Sequence, residues 1–363
     1  TENEDNMEKE KKSKIKKILV NLTIFILLII LTFSLVLKDQ DVSQIFSVAA
    51  KVKKQYILFA VLAMSIYILG EAVNITRILK ELGEKSKLIS NIRYTLIGFF
   101  FSAITPAASG GQPMEIYYMH KDDISVANST LALLMQLCSL QIVTITVGTI
   151  SAVIHFEVLK SGLIYLLILG IILNSSALML LIIAIFSKKL SEGLIKLAVK
   201  LLKFFRIPNV EKKQEKLEKE LESYQTSAKY IKEHKILMLK TVITTVIQMI
   251  AYYSVPYWIY LAFGLTEYNI FEILTLQAVL YATVSGIPSP GAVGVSEGGF
   301  LGIFRNVFPE TIISSAMLLT RGANFYLFII ISAIIVMIST FREKKIEKKQ
   351  MQETEVLTEK SEK

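Results

Sequence analysis

FFFSAITPAASGGQPMEIYY, residues 99–118, decides how this chain folds, because VSGIPSPGAVGVSEGGFLGIF, residues 284–304, repeats its grammar. Each holds a Ser or Thr, a Pro, a small residue, an Ala, one variable position and a Gly. These are Thr105, Pro106, Ala107, Ala108 and Gly110 in the first stretch, and Ser289, Pro290, Gly291, Ala292 and Gly294 in the second. A glutamate follows each, Glu115 and Glu297. Proline and glycine interrupt helices, yet both stretches lie in sequence apolar enough for a bilayer. Broken backbone at membrane depth is tolerated only where protein or a polar cavity surrounds it. Two such breaks predict a site.

The rest of the composition agrees. Of 363 residues, 53% are hydrophobic, the mean hydropathy is +0.52, and several apolar runs reach the ~20 residues needed to cross a hydrocarbon core. The formal net charge of +9 does not indicate nucleic-acid binding, because the lysines concentrate beside the apolar runs, where cytoplasmic retention and anionic headgroups explain them. Cys138 is the only cysteine and lies inside an apolar run, which excludes an intrachain disulfide and a cysteine metal cluster.

Taken in order, residues 1–17 are too charged to pack and read as a disordered cytoplasmic tail. Ile18 to Leu37 is a first span, retained in the mature chain because no small-residue cleavage site follows it. The lysines from Lys11 to Lys17 hold its start in the cytoplasm. Residues 41–54 carry too few apolar side chains to span and are expected to form an interfacial helix. Its Lys51, Lys53 and Lys54 would then face outside, against the charge rule. Tyr56 to Leu79 is a second span, and the first motif stretch occupies 88–119. Ser125 to Ile154 and Leu163 to Phe186 are further spans. From 188 to 240 the composition changes to 14 basic against 7 acidic residues, and the helix-forming run EKKQEKLEKELESYQ reads as part of a cytoplasmic connector. Lys240 to Phe263 spans again, with Tyr252, Tyr253, Tyr257 and Trp258 as an aromatic belt. The second motif stretch occupies 267–308, Thr311 to Thr340 is the last span, and a charged tail, 341–363, follows.

Parity converts this order into a topology. The N-terminal tail, the connector and the C-terminal tail are all basic, so all three are expected in the cytoplasm. The first motif stretch then makes no net crossing and is a hairpin entering from the cytoplasm. The second, by the same count, is a hairpin entering from outside. Adding 184 to a residue number carries Pro106 onto Pro290, Tyr56 to Leu79 onto Lys240 to Phe263, and Ser125 to Ile154 onto 309–338. The matched spans cross in opposite senses. The expected fold is therefore all-α, a polytopic integral membrane protein of about six full spans plus two opposed re-entrant helical hairpins in an inverted repeat. Repeat one covers 55–155 and repeat two 240–340, with 156–187 a span between them.

Candidate residues follow from depth and charge. Arg321 lies about ten residues into the last span, ~15 Å deep and close to the middle, where an arginine persists only if it is paired or faces a wet cavity. It is either the structural partner of Glu115 or Glu297, or a fork of donors for a phosphate headgroup. Asn324, three residues on, is taken with it. Glu71, Asn74 and Arg77 share one helical face, either as an interfacial stripe or with Glu71 as counter-charge to Arg321 or as a proton-coupled carboxylate. Glu115 and Glu297 follow helix breaks and can cap the amides of the restarting helix. Alternatively those amides bind phosphate and the glutamates receive an amine or a proton. Thr105, Ser289, Gly110 and Gly294 complete the expected substrate-binding set.

Enzyme signatures are weak. Gly294-Val295-Ser296-Glu297-Gly298 matches the nucleophile-elbow pattern by letter, but that motif needs strand-turn-helix context and a later histidine, and His120, His155 and His234 all come earlier. The histidines lack zinc spacing, and neither a Walker A loop nor a dinucleotide fingerprint occurs. No catalytic residue, metal or cofactor is expected.

The two motif stretches with the Arg321 span resemble the lysylphosphatidylglycerol synthase transmembrane, or flippase-like, family, over about residues 15–340. The resemblance implies a multi-pass module of the bacterial inner membrane, similar to the N-terminal part of multiple peptide resistance factors. In those proteins it translocates aminoacylated phosphatidylglycerol beside a cytosolic aminoacyl-transferase domain. Only a charged tail follows Thr340 here, so lysyl transfer is not expected of this chain. The expected function is movement of a phospholipid or lipid-linked headgroup between leaflets. The alternatives are a membrane-embedded headgroup transferase and a partner of a separate synthase docked through the connector. Expected partners are an anionic or aminoacylated phospholipid and either that synthase or a second copy of the chain.

Overall fold

The computed structural model describes residues 42–105, 108–156, 163–189, 210–287 and 289–340, with isolated positions at 23, 192–193, 196 and 199–200. Apart from residue 23, the expected first span, both tails and the proline at 106 lie outside these residues. Within them the chain contains no strand. It is an all-α polytopic membrane protein with five helices long and apolar enough to cross a bilayer: Lys54–Glu81 (α2), Val126–Ile154 (α5), Ile164–Phe186 within Leu163–Phe186 (α6), Lys235–Ala262 (α8) and Ile313–Thr340 (α11). A short helix, Val42–Ala50 (α1), precedes them. Val210–Glu233 (α7) is the charged connector helix, and α8 starts five residues before the charge pattern alone suggests.

Helix starts are fixed by side chains that satisfy the unpaired amides of the first turn. The Ser125 hydroxyl accepts from the Asn128 amide to open α5. At Ile270–Val284 (α9) the Asn269 side chain accepts from the amides of Phe271 and Glu272, while Glu272 accepts from the Asn269 amide, a reciprocal cap.

The spine is an antiparallel pair. The Lys53 amide donates to the Ala262 carbonyl at one end of α2 and α8, at 3.0 Å, and Asn74 Nδ2 donates to the Thr241 carbonyl toward the other, at 3.2 Å. Against this pair lie two helical hairpins. Leu88–Ile104 (α3) and Gly111–Lys121 (α4) form the first, closed at its root by Arg93 and Tyr94, which both donate to the Asp122 carboxylate. The second comprises α9, a single tight turn at Pro290–Ala292, and Val295–Ile303 (α10). Tyr268 closes its root, donating its amide to the Tyr260 hydroxyl and its own hydroxyl to the Asn306 carbonyl, each at 3.0 Å.

The hairpins oppose one another. Tyr118 of the first reaches Thr340 at the end of α11, at 3.3 Å, whereas the root of the second packs beside the end of α8, where Phe308 meets Tyr260 and Phe263. Roots at opposite ends put the tips face to face. Each hairpin has its own apolar core, Ile75, Ile97, Met119 and Leu131 around the first and Ile259, Val279, Phe300 and Phe304 around the second. Small residues let helices touch: a side chain at Gly148 would meet Ala282 Cβ at 2.5 Å, and one at Gly170 the Ala282 carbonyl at 2.4 Å. Such contacts are the usual packing of helices that have no hydrophobic drive to separate them from lipid.

The expected aromatic belt divides. Tyr257 and Trp258 lie near the end of α8, with Phe59 5.2 Å from Trp258. Tyr253 is fully buried and Tyr252 faces inward, because they lie on the side of α8 turned to the bundle.

Candidate functional site

Where the hairpin tips meet there is a cavity of about 280 Å³. The first hairpin contributes Phe99, Ser102 and Ala108, the second Ser289, Gly291 and Ala292, and α11 contributes Arg321, Asn324 and Phe325. Tyr67, Tyr252 and Tyr281 complete the wall from α2, α8 and α9.

Arg321 is held from several sides. Its Nε donates to Glu297 Oε1 at 2.7 Å and its Nη2 to the Gly291 carbonyl at 3.1 Å. The guanidinium lies 4.0 Å from the Phe325 ring centroid and 5.6 Å from that of Tyr326. Helix α11 makes this possible by widening into a single π turn over Gly322–Tyr326. In that turn residues five apart come into line, so Tyr326 stands on the Arg321 side and its hydroxyl donates to Glu297 Oε1 at 3.1 Å. A guanidinium has five donors; Glu297 and Gly291 engage two, on a side chain that also lines the cavity.

Glu297 does double duty. Its second oxygen accepts from the Gly294 amide at 2.7 Å, capping α10, while the first pairs with Arg321. Of the expected partners of Arg321, Glu115 or Glu297, with Glu71 as an alternative counter-charge, Glu297 is the one paired with it. Ser289 and Asn324 lie at the cavity, and Ser289 Oγ and Asn324 Oδ1 are buried without hydrogen-bond partners among the described residues. In the first hairpin Thr105 turns back on the chain. Its hydroxyl donates to the Phe101 carbonyl at 2.6 Å and accepts from the Gly110 amide at 2.9 Å.

Glu115 is set apart from Arg321. It is 3% exposed, packs over the bare backbone of Gly98, and its Oε2 has no hydrogen-bond partner among the described residues. The other two residues of the Glu71 face belong to a network that sequence reasoning missed. Asn74 Nδ2 donates to Gln136 Oε1 at 2.8 Å and to Thr245 Oγ1 at 3.0 Å, Gln136 Nε2 donates to Gln248 at 3.2 Å, and Arg77 donates to Asn74 and Thr244, each at 3.0 Å. Two glutamines far inside apolar runs were the available signal. The tyrosines of the wall were not distinguishable from interfacial ones.

An all-helical bundle with opposed hairpin tips around a buried arginine cavity belongs to the polytopic membrane proteins. The lysylphosphatidylglycerol synthase TM region family matches residues 18–332, and the chain belongs to that family. It is thereby related to membrane phospholipid modification or translocation. No curated protein matches the chain.

Proposed function

We propose that the protein moves the headgroup of a phospholipid, or of a lipid-linked molecule, between leaflets through the cavity at the hairpin tips. The observation that carries this reading is the position of Arg321, a buried guanidinium at a cavity bounded by both hairpins. Glu297 orients it, and its remaining donors meet a phosphate in the bidentate manner a guanidinium favours. Ser289 and Asn324 supply further polar atoms. The carboxylates of Glu71 and Glu115 receive a proton or an amine. The volume suits a headgroup rather than acyl chains, which stay in the bilayer.

Alternating access follows from an inverted repeat. The antiparallel pairing of α2 with α8 and the backbone of Ala108 and Ala292, φ 53° and 52° at positions 184 apart, support it. In this topology the termini and α7 are cytoplasmic, the first hairpin enters from the cytoplasm and the second from outside, in a bacterial inner membrane. The family's name favours a second reading, in which the chain is the membrane region that serves a synthase, and α7 is then the docking element.

The test is leaflet exchange of labelled phosphatidylglycerol in proteoliposomes. Arg321→Lys keeps a cation for Glu297 but loses the planar fork, and is expected to slow exchange at least tenfold in protein that still folds. An unchanged rate in folded protein would remove Arg321 and with it this mechanism. New lipid species in extracts, in place of relocated ones, would favour the synthase reading.

A further inference from the structure

A second cavity lies far from the hairpin tips, where α6 ends and α7 crosses it. Its volume is about 250 Å³. Tyr224 pins the two helices together by donating to the Ala184 carbonyl at 2.9 Å, and Ile185 and Ala228, both buried, form the floor. Along α7 the residues Tyr224, Ala228 and Ile231 face the bundle. The next stripe, Gln225, Lys229 and Lys232, is spaced by four and three and so shares one face. That stripe and Lys188 line the cavity, and no carboxylate is among its lining residues.

Three ammonium groups around one hollow repel each other unless an anion sits between them. Lys188 reaches Glu192 only at 3.9 Å, with both side chains well exposed, a contact of little strength. Gln225 adds a donor, since its Nε2 is buried without a hydrogen-bond partner among the described residues. The chemistry recognised is therefore a phosphate or similar oxyanion. Its source follows from the neighbouring surface. Ile182, Ile183 and Phe186 are 45, 38 and 40% exposed on a helix whose outer side is apolar along its length, and they lead straight to the cavity. A soluble anion gains nothing from that wall, whereas acyl chains do.

We propose that this cavity is a binding site for an anionic phospholipid, separate from the translocation cavity, with the phosphate held by Lys188, Lys229, Lys232 and Gln225 and the chains lying along α6. Basic pockets at the membrane border bind anionic headgroups on this principle. The bound lipid fastens α7, the link between the two halves of the chain, to the end of α6.

Native mass spectrometry of the purified chain, titrated with phosphatidylglycerol, tests it. Each lysine near an anionic headgroup contributes about fivefold in affinity, so Lys229→Gln/Lys232→Gln together are expected to weaken the tight-binding class about twentyfold, and Lys188→Gln, on the other helix, about fivefold. Lys219→Gln, on α7 outside the cavity, is expected to change it less than twofold. Phosphatidylcholine should not occupy the site, and millimolar inorganic phosphate should not empty it. Equal loss in Lys219→Gln, no loss in the cavity variants, occupancy by phosphatidylcholine, or displacement by inorganic phosphate would each overturn the proposal.

Discussion

The two hairpins carry one motif and use it in opposite ways. In the first, the hydroxyl of Thr105 caps the Gly110 amide, so Glu115 is not needed at the break and faces Gly98. In the second, Glu297 caps the Gly294 amide, which leaves Ser289, the counterpart of Thr105, with its hydroxyl buried at the cavity and without a partner among the described residues. The same turn is thus closed by a local hydroxyl on one side and by a charge on the other. Where the charge closes the turn it also anchors Arg321, and the second hairpin becomes part of the site. The first hairpin supplies mainly a wall.

The largest expected difference is in what each carboxylate supports. Glu297→Gln removes the partner of a buried guanidinium and should destabilise by about 3 kcal/mol, as removal of one member of a buried pair does. Glu115→Gln removes a buried carboxylate with one oxygen unpartnered among the described residues and should change stability by less than about 1 kcal/mol, toward greater stability. Thermal unfolding of both variants in one detergent measures the contrast. Equal losses would mean that the two glutamates hold equivalent structural pairs.

This difference was partly visible in the sequence. The offset of 184 that brings the prolines together carries Glu115 to Gly299 and Glu297 to Pro113, so the glutamates are two places out of register. Two residues on a helix are about 200° of rotation, and the side chains must leave their helices in different directions. The helices, the breaks and the charged connector were legible because each rests on local composition. Pairing Arg321 with Glu297 was legible only as one of two choices, with Glu115 the other, since the π turn at Gly322–Tyr326 has no marker in sequence and decides which residues stand beside the arginine. The tyrosine wall was hidden for a related reason: an apolar run in a membrane protein has lipid on one side and protein on the other, and periodicity does not say which tyrosine faces a cavity.

A smaller contrast concerns the glycines that let each hairpin close. A methyl at Gly98 would lie 2.0 Å from Glu115 Oε1 and 2.7 Å from its Cγ, on a side chain that is only 3% exposed. Gly98→Ala should cost about 1–2 kcal/mol after its gain in helix propensity, and Glu115→Ala in the same chain should restore most of it. At Gly299 the methyl would crowd the Leu280 Cδ1 atom, at 2.6 Å, the far end of a side chain that can rotate, and would meet Val284 Cγ1 at an ordinary 3.5 Å. Gly299→Ala should therefore be nearly neutral. A double-mutant cycle that found no coupling between positions 98 and 115 would place the first carboxylate elsewhere.

The smallest effect tests what the hairpins share. Ala108 and Ala292 both have left-handed backbones, φ 53° and 52°, a region where a β-carbon crowds the following carbonyl and only glycine rests without strain. Ala108→Gly and Ala292→Gly should each raise stability by about 0.5 kcal/mol, the relief of strain exceeding the added freedom of the unfolded chain. Equal increments would show that the kink is one backbone device used twice, whatever side chains surround it. A rise at one position and a fall at the other would break the equivalence, because the kinks would then be set by their different neighbours rather than by the motif.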